Sequence, residues 1–312
     1  MRTRLLWLVA TLAACGPLFP GVPVLAEPAV QVVDDAGHTV ELAAPAQRIV
    51  SLAPYLTELL YSAGAGDAIV GTSEFSDYPA AARDIPRIGG GGGLDVEAIV
   101  ALQPDLVVAW QSGNPAGQLE RLRALGMTLF LSEPRQLQDV PGTLVRLGTL
   151  AGTEQLAQAA VAAYEARYRQ LQQRYSARPS VAVFYQVWRQ PLMTVSGEHL
   201  ISDVIRLCGG RNVFSDLPVL APQIDIEAVL AADPEVIIVG TGGTSETAEL
   251  QDWQRWTMLA AVAQGHLYGV QRELLVRHSP RILDGAEQLC RILEKVRSEN
   301  VKSQQSKVSS EK

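Results

Sequence analysis

The sequence predicts an α/β fold in which two doubly wound, Rossmann-like lobes are joined by one long α-helix. One stretch occurs twice, as DVEAIVALQPDLVV at 95–108 and as DIEAVLAADPEVII at 225–238. Predicted strands and helices alternate around both copies, which is the pattern of a parallel sheet covered by helices. Residues 155–175, between the copies, contain no Gly or Pro and are rich in Ala, Gln and Arg, which predicts a single long helix.

Each copy of this repeat predicts a helix, a turn and a buried strand. Asp95 and Asp225 are suitable N-caps, and Glu97 and Glu227 follow in the first turn, where the helix dipole favours an anion. A Pro then ends each helix, and the all-apolar run after it is typical of a strand buried on both faces. Two such copies predict two similar lobes with two similar surfaces.

The first 26 residues have the features of a targeting segment. Arg2 and Arg4 precede an apolar run over 5–14 that is too short to span a bilayer. Cleavage after Ala26 would release a soluble protein, whereas processing before Cys15 would leave a lipid-anchored one, and the sequence is compatible with both. Either route places the mature protein outside the cytoplasm, and no later stretch has the length and apolarity of a membrane span.

Charge and cysteine content narrow the classes of partner. Net charge is −7 for the whole chain and −9 without Arg2 and Arg4. An acidic protein is not expected to bind nucleic acid or an anionic membrane surface. Beyond Cys15, the chain has Cys208 and Cys290, and a lone pair in an oxidising compartment predicts a disulfide, the alternative being two buried free thiols.

The N-terminal lobe, predicted over 27–152, opens with a hairpin whose strands are 30–33 and 38–42. Its further elements are strands at 48–52, 69–71, 106–110 and 128–131 and helices at 56–63, 95–103 and 118–125. Five consecutive glycines at 89–93 are not expected to form regular structure. The connecting helix is predicted over 153–177, with Thr153 as its N-cap.

The C-terminal lobe is predicted over 178–297. Its elements outside the repeat are strands at 181–185 and 266–270, helices at 200–207, 253–262 and 280–297, and a glycine-rich loop at 240–244. The polar tail at 298–312 is expected to be disordered, because it has few apolar residues to bury.

The motifs of catalysis are missing from the sequence. No phosphate-binding loop, nucleophile elbow or dinucleotide-binding turn occurs. The four histidines (His38, His199, His266 and His278) are scattered, with no pair at metal-ligand spacing. We therefore expect neither an enzyme nor a resident metal or cofactor.

Aromatic residues stand where predicted strands run into loops, which is the edge where open α/β sheets bind ligands. They are Phe75, Tyr78, Trp110, Tyr185 and Trp188. Each could instead pack within its own lobe, which we expect of Tyr78. Trp110 and Trp188 occupy matching places in the two lobes, so we expect both to contact a flat, mostly apolar ligand.

The first-turn glutamates of the repeat have two interpretations. Such a residue ordinarily stabilises only its own helix, by less than about 1 kcal/mol. Because Glu97 and Glu227 occupy the same point of two related lobes, they also suit a partner that carries arginines in a two-fold arrangement.

Four stretches resemble the cobalamin-binding members of the helical-backbone class (class III) of periplasmic binding proteins, which serve ATP-driven importers. These stretches are 73–79 (SEFSDYP), 99–110, 208–214 (CGGRNVF) and 279–282 (SPRI). The resemblance implies that the long helix is a stiff connector and that a corrinoid, vitamin B12, is the transported ligand, held in the cleft between the lobes. It also implies delivery to an inner-membrane permease dimer, and we expect the binding protein itself to be a monomer.

The resemblance assigns roles to single residues as well. Cys208 and Cys290 match the family's disulfide, and Glu97 and Glu227 match two glutamates that dock arginines of the permease.

Four positions match residues of the family's ligand cleft. Phe75 falls where the family places a Tyr over the corrin, and Trp110 matches a cleft aromatic. Glu273 and Arg277 match an acid and an arginine that line the cleft.

The chain also departs from the family. Where its best-known members have ligand-facing tryptophans, this chain has a glycine, near Gly91, and Ala221. The loss of two indoles would weaken stacking or enlarge the cleft. Trp188 compensates from a nearby loop and, with Tyr185, completes the expected ligand site.

Two alternatives to a corrinoid carrier stay open. A ferric siderophore or haem commonly brings anionic groups and would favour a cluster of arginines at the cleft, which Arg277 alone does not form. An exported enzyme or metal-cluster protein of nitrogenase-like fold would need a constellation of Cys or His residues that the sequence lacks.

Overall fold

A computed structural model describes residues 30–90, 93–242 and 246–310. Over these residues the chain forms two parallel four-stranded sheets covered by helices, preceded by an antiparallel hairpin. The two-lobed α/β fold predicted from the sequence is confirmed. The targeting segment predicted over 1–26, with both of its processing sites, lies outside the described residues.

The N-terminal lobe is built on a parallel sheet with the strand order β4-β3-β7-β8. The strands of this half are β1 (Val30–Val33), β2 (Thr39–Leu42), β3 (Ile49–Ser51), β4 (Ile69–Thr72), β5 (Gly89–Gly90), β6 (Gly93–Leu94), β7 (Leu106–Trp110) and β8 (Leu129–Ser132). Its helices are α1 (Pro54–Ser62), α2 (Val96–Ala101), α3 (Ala116–Ala124) and α4 (Asp139–Ala151). Because all four sheet strands are parallel, their carboxyl ends, Trp110 among them, lie at one edge.

Helix α4 was not predicted, because Pro141, Gly142 and Gly148 interrupt its sequence. Pro141 is tolerated in the first turn, where its missing N–H would have had no helical partner. Gly148 permits close packing on the next helix, since a Cβ there would lie 2.4 Å from the Cβ of Ala157.

The glycine run forms more structure than predicted. Gly89 and Gly90 pair with Leu94 and Gly93 as a short antiparallel hairpin, β5-β6. Gly89 has a φ of +96°, and a Cβ on it would lie 2.3 Å from the carbonyl oxygen of Gly93. The expectation of no regular structure was therefore wrong at both ends of the run, because the missing side chains are what lets the two backbones approach. Gly91 and Gly92 lie outside the described residues.

The connector between the lobes is the long helix α5 (Glu154–Tyr175). Thr153 stands at its N-cap position but does not cap it, since the Thr153 hydroxyl donates instead to the carbonyl of Ala63, 2.7 Å away. Ala157 and Tyr164 are buried against the N-terminal lobe, and Leu171 and Tyr175 are buried further along. One helix thus contributes to the core of both halves.

The C-terminal lobe repeats the design with the parallel strand order β10-β9-β11-β12. Its strands are β9 (Val181–Gln186), β10 (Gly210–Asn212), β11 (Val236–Thr241) and β12 (Leu267–Gln271). Its helices are α6 (Leu200–Leu207), α7 (Ile226–Ala232), α8 (Glu246–Gln254), α9 (Ala260–Ala263), α10 (Arg272–Val276) and α11 (Ile282–Ser310). The short elements β10 and α10 were not predicted.

Two helical predictions in this lobe need correction. The helix predicted over 253–262 is instead the end of α8 and all of α9, because the Asp233 carboxylate accepts a hydrogen bond from Ala260 N at 2.8 Å and starts a new helix there. Helix α11 continues to Ser310, over most of the tail that was expected to be disordered from 298. The Glu, Lys and Gln of this tail are poor core residues but good helix formers.

The predicted disulfide is present between Cys208, at the end of α6, and Cys290 in α11. Both residues are fully buried in the C-terminal lobe. The bridge closes a loop with a sequence separation of 82, which corresponds to a stabilisation of about 4 kcal/mol if chain entropy dominates.

Candidate functional site

A cavity of about 520 Å³ is lined by residues of both lobes. On the N-terminal side it includes Trp110, the last residue of β7, and Glu133, which follows β8. On the C-terminal side it includes Val187, which follows β9, and Val276 at the end of α10. The cavity therefore lies at the carboxyl edges of both sheets, where open α/β folds bind ligands, and its volume is typical of ligand sites.

Aromatic rings in edge-to-face contact form one wall of this cavity. The ring of Trp110 meets Tyr55 edge-on at a centroid distance of 5.8 Å and His278 at 6.1 Å. His278 in turn lies 5.6 Å from His199. Trp110 belongs to the N-terminal lobe and both histidines to the C-terminal lobe, so the wall spans the junction of the lobes.

Two polar atoms in this wall are buried without a hydrogen-bond partner among the described residues. They are Nε1 of Trp110 and Nδ1 of His278. Buried nitrogens are normally paired, and exceptions in native proteins often mark functional sites.

Both histidines of the wall are neutral at neutral pH. Burial lowers the pKa of His199 to about 4. Burial, together with the nearby His199, lowers the pKa of His278 to about 3. Nδ1 of His199 accepts a hydrogen bond from Ile201 N at the start of α6, so the ring proton lies on Nε2.

These histidines were not predicted to lie in the site, because they are far apart along the chain. They meet because the start of α6 and the turn between α10 and α11 lie side by side. The one local signal was the position of His199 directly before a predicted helix.

Charged residues at the cavity nearly balance one another. Its lining includes two acids, Glu133 and Glu198, and one base, Arg135. Arg135 already pairs with Glu198 across the lobes at 3.3 Å, and both side chains are more than half exposed. The lining thus carries no surplus of positive charge that would select an anion.

Among the residues predicted to contact ligand, Trp110 lines the cavity and others lie outside it. Phe75, on the loop after β4, is 74% exposed. Trp188 is 50% exposed in a separate depression, where the Arg272 guanidinium lies 5.3 Å from its ring centroid. Glu273 is exposed in the first turn of α10 and does not line the cavity. Ala221, one of the two positions that depart from the family, does line it.

The structure places two further expected ligand contacts away from the cavity. Tyr185 is fully buried, because its side chain points into the core of the C-terminal lobe. Arg277 is also buried and is engaged by carboxylates of the N-terminal lobe, with Nη1 at 2.9 Å from Glu58 and 2.8 Å from Asp77. Neither side chain is among the residues that line the cavity.

Away from the cavity, both repeat glutamates are exposed at helix N-termini. Asp95 caps α2 by accepting from Ala98 N at 2.9 Å, and Asp225 caps α7 by accepting from Ala228 N at 2.8 Å. Glu97 and Glu227 follow in the first turns, as predicted, and project from the surface.

A metal site and a membrane-spanning helix are both absent from the described residues. Within these ranges, no group of three or more His, Cys, Asp or Glu side chains is placed to hold a metal ion. No described helix combines the length and the apolarity needed to cross a membrane.

Comparisons with known proteins agree with this architecture. A family model described as periplasmic binding protein matches residues 49–274. A vitamin B12-binding protein of Vibrio cholerae is 36% identical over 289 residues, which is 92% of this chain and 98% of the relative. Another from Vibrio campbellii is 35% identical over 253 residues, 81% of this chain and 91% of the relative.

Solved structures are similar over most of the chain. The crystal structure of the periplasmic vitamin B12 binding protein BtuF of Vibrio cholerae has a TM-score of 0.76 and 35% identity, covering 81% of this chain and 98% of that one. A periplasmic heme binding protein from Pseudomonas aeruginosa has a TM-score of 0.69 and 26% identity, covering 78% and 91%.

Proposed function

The chain belongs to the periplasmic binding protein family, and we propose that it captures a corrinoid, vitamin B12, between its lobes and delivers it to an inner-membrane ABC permease. The observation that carries this proposal is the cavity of about 520 Å³ at the carboxyl edges of both sheets, with Trp110 in its wall. Relatives named for vitamin B12 binding align over nearly the whole chain, and their names describe binding rather than catalysis.

The charges of the cavity favour a corrinoid over the alternative ligands. The periphery of a corrinoid carries many uncharged amides, whereas haem and most siderophores present carboxylates or other anionic groups. Arg135 is the one base among the cavity-lining residues, and it is paired with Glu198. An anionic ligand would meet two acids and no free arginine there, which costs binding energy through like-charge contact.

A corrinoid is larger than the cavity, so part of it would extend beyond the enclosed volume. Phe75 and Trp188 are exposed aromatic residues on loops at the same edges of the two sheets. We assign them to the outer part of the site, where an exposed ring gains free energy when a flat ligand covers it. Glu273, exposed at the start of α10, is placed in the same outer region.

Delivery would use the two repeat glutamates. Glu97 and Glu227 each project from the first turn of a capped helix in one lobe. A permease made of two like subunits would present its arginines twice, and each lobe would offer one carboxylate to them. The lobes, assigned to 27–152 and 178–297, are held by α5 as a stiff connector over 153–177, so we expect only a small hinge motion.

The protein works in the periplasm, as its family does. Residues 1–26 would be removed after Ala26, or the chain would be anchored through a lipid on Cys15. Mass spectrometry of the mature protein separates the two routes, since only the second leaves an N-terminus at Cys15 with added lipid mass.

The red colour of cyanocobalamin allows a direct test of corrinoid binding. The purified protein is incubated with cyanocobalamin, desalted and scanned in the visible range, with hemin and a ferric siderophore in parallel. We expect the protein to stay red with about one corrinoid per chain. A colourless protein after cyanocobalamin, together with retained hemin or siderophore, would replace the corrinoid proposal with the corresponding alternative.

A further inference from the structure

Arg277 connects the two lobes through a buried set of hydrogen bonds. It follows α10 in the C-terminal lobe, and its side chain is only 8% exposed. Nη1 donates to Glu58 Oε1 at 2.9 Å and to Asp77 Oδ1 at 2.8 Å, and Nη2 donates to the backbone oxygen of Phe75 at 3.0 Å. All three acceptors belong to the N-terminal lobe.

Glu58 strengthens this contact, because the hydrogen-bond partners of its carboxylate all lie in the other lobe. It lies on α1 and is 2% exposed. Its side-chain partners within the described residues all come from the C-terminal lobe: Arg277, Arg281 at 3.0 Å and the hydroxyl of Ser279. Separation of the lobes at this point would break all three of these contacts of the Glu58 carboxylate.

The loop that carries Phe75 is held by the same cluster. Phe75 has a φ of +63°, a left-handed conformation that is uncommon for a residue with a side chain and needs support from its surroundings. Asp77 of this loop binds Arg277, and the Arg281 guanidinium lies 3.8 Å from the ring centroid of Tyr78. Hydrogen bonds within the N-terminal lobe also hold this loop, such as those of Ser76 Oγ with Thr57 and Ser73. The contact to the Phe75 carbonyl comes from across the lobe junction, while the ring stays exposed.

We propose that Arg277 is a positioning residue that holds Phe75 over the cleft only while the lobes are together. The proposal rests on the proposed function in one respect, that the ligand occupies the cleft beside Phe75. When the permease draws the lobes apart, Arg277 withdraws from the Phe75 carbonyl, the loop relaxes, and the ring leaves the ligand. Ligand release is thereby coupled to lobe separation.

The charge states are those the bridge requires. Although partial burial raises the pKa of Asp77, the hydrogen bond and the charge of Arg277 lower it further, so that the net pKa lies below its usual range. Burial lowers the pKa of Arg277, but the bonds to Glu58 and Asp77 raise it above its ordinary value. Both groups are therefore charged at neutral pH.

The first test needs no ligand. Arg277→Lys keeps the positive charge near Glu58 but lacks the planar fork that reaches Phe75 as well. Amide hydrogen exchange over 73–79 should quicken by roughly tenfold or more, since a hydrogen bond from a charged donor is lost. Arg167→Lys is the matched control, because Arg167 also binds two carboxylates, Asp284 and Glu287, but not this loop. Unchanged exchange over 73–79 in Arg277→Lys would overturn the proposal.

The second test asks whether Arg277 acts through Phe75. Cyanocobalamin affinity is measured for Arg277→Lys, Phe75→Ala and the double variant. We expect Arg277→Lys to weaken binding by about tenfold alone and to add little once Phe75 is already Ala. Equal losses in both backgrounds would show that Arg277 acts elsewhere and would overturn the proposal.

A second variant and a separate readout cover the cases in which Arg277→Lys does not fold or cyanocobalamin does not bind. If Arg277→Lys does not fold, Asp77→Ala weakens the same bridge at a half-exposed position and should release the loop in the same direction. If the wild-type protein does not bind cyanocobalamin, the proposed function fails, but the exchange experiment still decides whether Arg277 positions the loop.

Discussion

Helices α2 and α7 begin in the same way, but their glutamates meet different surroundings. The capping aspartate oxygen lies 2.9 Å from the backbone nitrogen of Ala98 in α2 and 2.8 Å from that of Ala228 in α7. In each helix the glutamate stands two residues after the capping aspartate. Glu97 is paired with Arg121 of α3 at 3.2 Å, although both side chains are largely exposed. Glu227 forms no ion pair within the part of the chain that the structure describes. Local sequence therefore sets how each helix starts, and tertiary neighbours set how free each carboxylate is.

The ends of the two helices also differ. Helix α2 runs into Gln103, which has a positive φ, and α7 ends at Asp233, which has one as well. Asp233 does more than end its helix, because its carboxylate caps α9. The lobes as wholes also differ, since the C-terminal lobe contains the disulfide and both histidines of the cavity wall.

The largest expected effect is a loss of stability at low pH, and it tests how differently helices of the two lobes are capped. Helix α1 starts at Ala53 without a side-chain cap, whereas α6 starts at His199, whose Nδ1 caps it. Because the pKa of His199 is about 4 in the folded protein, against an ordinary 6.5, the unfolded chain takes up a proton first as the pH falls. The free energy of unfolding should then drop between pH 6.5 and pH 4, by about 1.4 kcal/mol per pH unit for each such histidine.

The variant His199→Asn isolates the contribution of His199 to this pH dependence, because Asn caps the helix without titrating. Urea unfolding of the variant at pH 7 and pH 5 should show a shallower loss than the wild type. Identical pH dependence in the two proteins would remove His199 from the explanation.

The second prediction compares Trp110 with Trp188, which follow corresponding strands of the two lobes. Trp110→Ala should weaken cyanocobalamin binding by about 1–3 kcal/mol, because it removes a large ring from the cavity wall. Trp188→Ala should have a smaller effect, because half of its side chain is exposed outside the cavity. Calorimetric titration of both variants measures this, and a larger loss at Trp188 would reverse the assignment of inner and outer parts of the site.

The third prediction tests whether Glu227, which has no ion pair within the described residues, contributes more to uptake than Glu97, which is paired with Arg121. Glu227→Arg and Glu97→Arg should each slow uptake by roughly tenfold or more while leaving cyanocobalamin affinity intact, since each reverses a proposed docking charge at a residue that does not line the cavity. The effect should be larger at Glu227, and Arg121→Gln should improve uptake by freeing Glu97. Uptake is measured in cells that lack the native binding protein. A parallel loss of ligand affinity would argue against docking.

The smallest expected effect is the loss of stability when a helix cap is removed, and it should be the same in both lobes. Asp95→Ala and Asp225→Ala each remove a hydrogen bond to the third residue of a short helix, so each should lower the free energy of unfolding by about 1 kcal/mol. Thermal or urea unfolding gives the values, with Asp216→Ala, an exposed carboxylate that caps no helix, as control. A large inequality between the two caps would show that the helices are less alike than their geometry indicates.

Local patterns account for the parts of the structure that were predicted. The caps at Asp95 and Asp225, the helix over 154–175 and the first strands of each lobe depend on neighbours within a few residues. The disulfide followed from there being one pair of cysteines in an exported chain. These features need no knowledge of how the lobes meet.

The parts that were missed depend on contacts between distant residues. The sequence shows that Tyr185 ends a strand, but not that its ring points into the core instead of towards the cleft. It shows a charged Arg277, but the partner Glu58 is 219 residues away. His199 and His278 become one wall only when the C-terminal sheet and its helices have assembled.

The central claim is that the two lobes hold one corrinoid between them, and isothermal titration of the wild-type protein with cyanocobalamin tests it most directly. The account predicts saturable binding of one molecule per chain, with the negative heat-capacity change that follows burial of apolar surface. Absence of binding, or binding that a lobe-lining change such as Trp110→Ala leaves untouched, would contradict it.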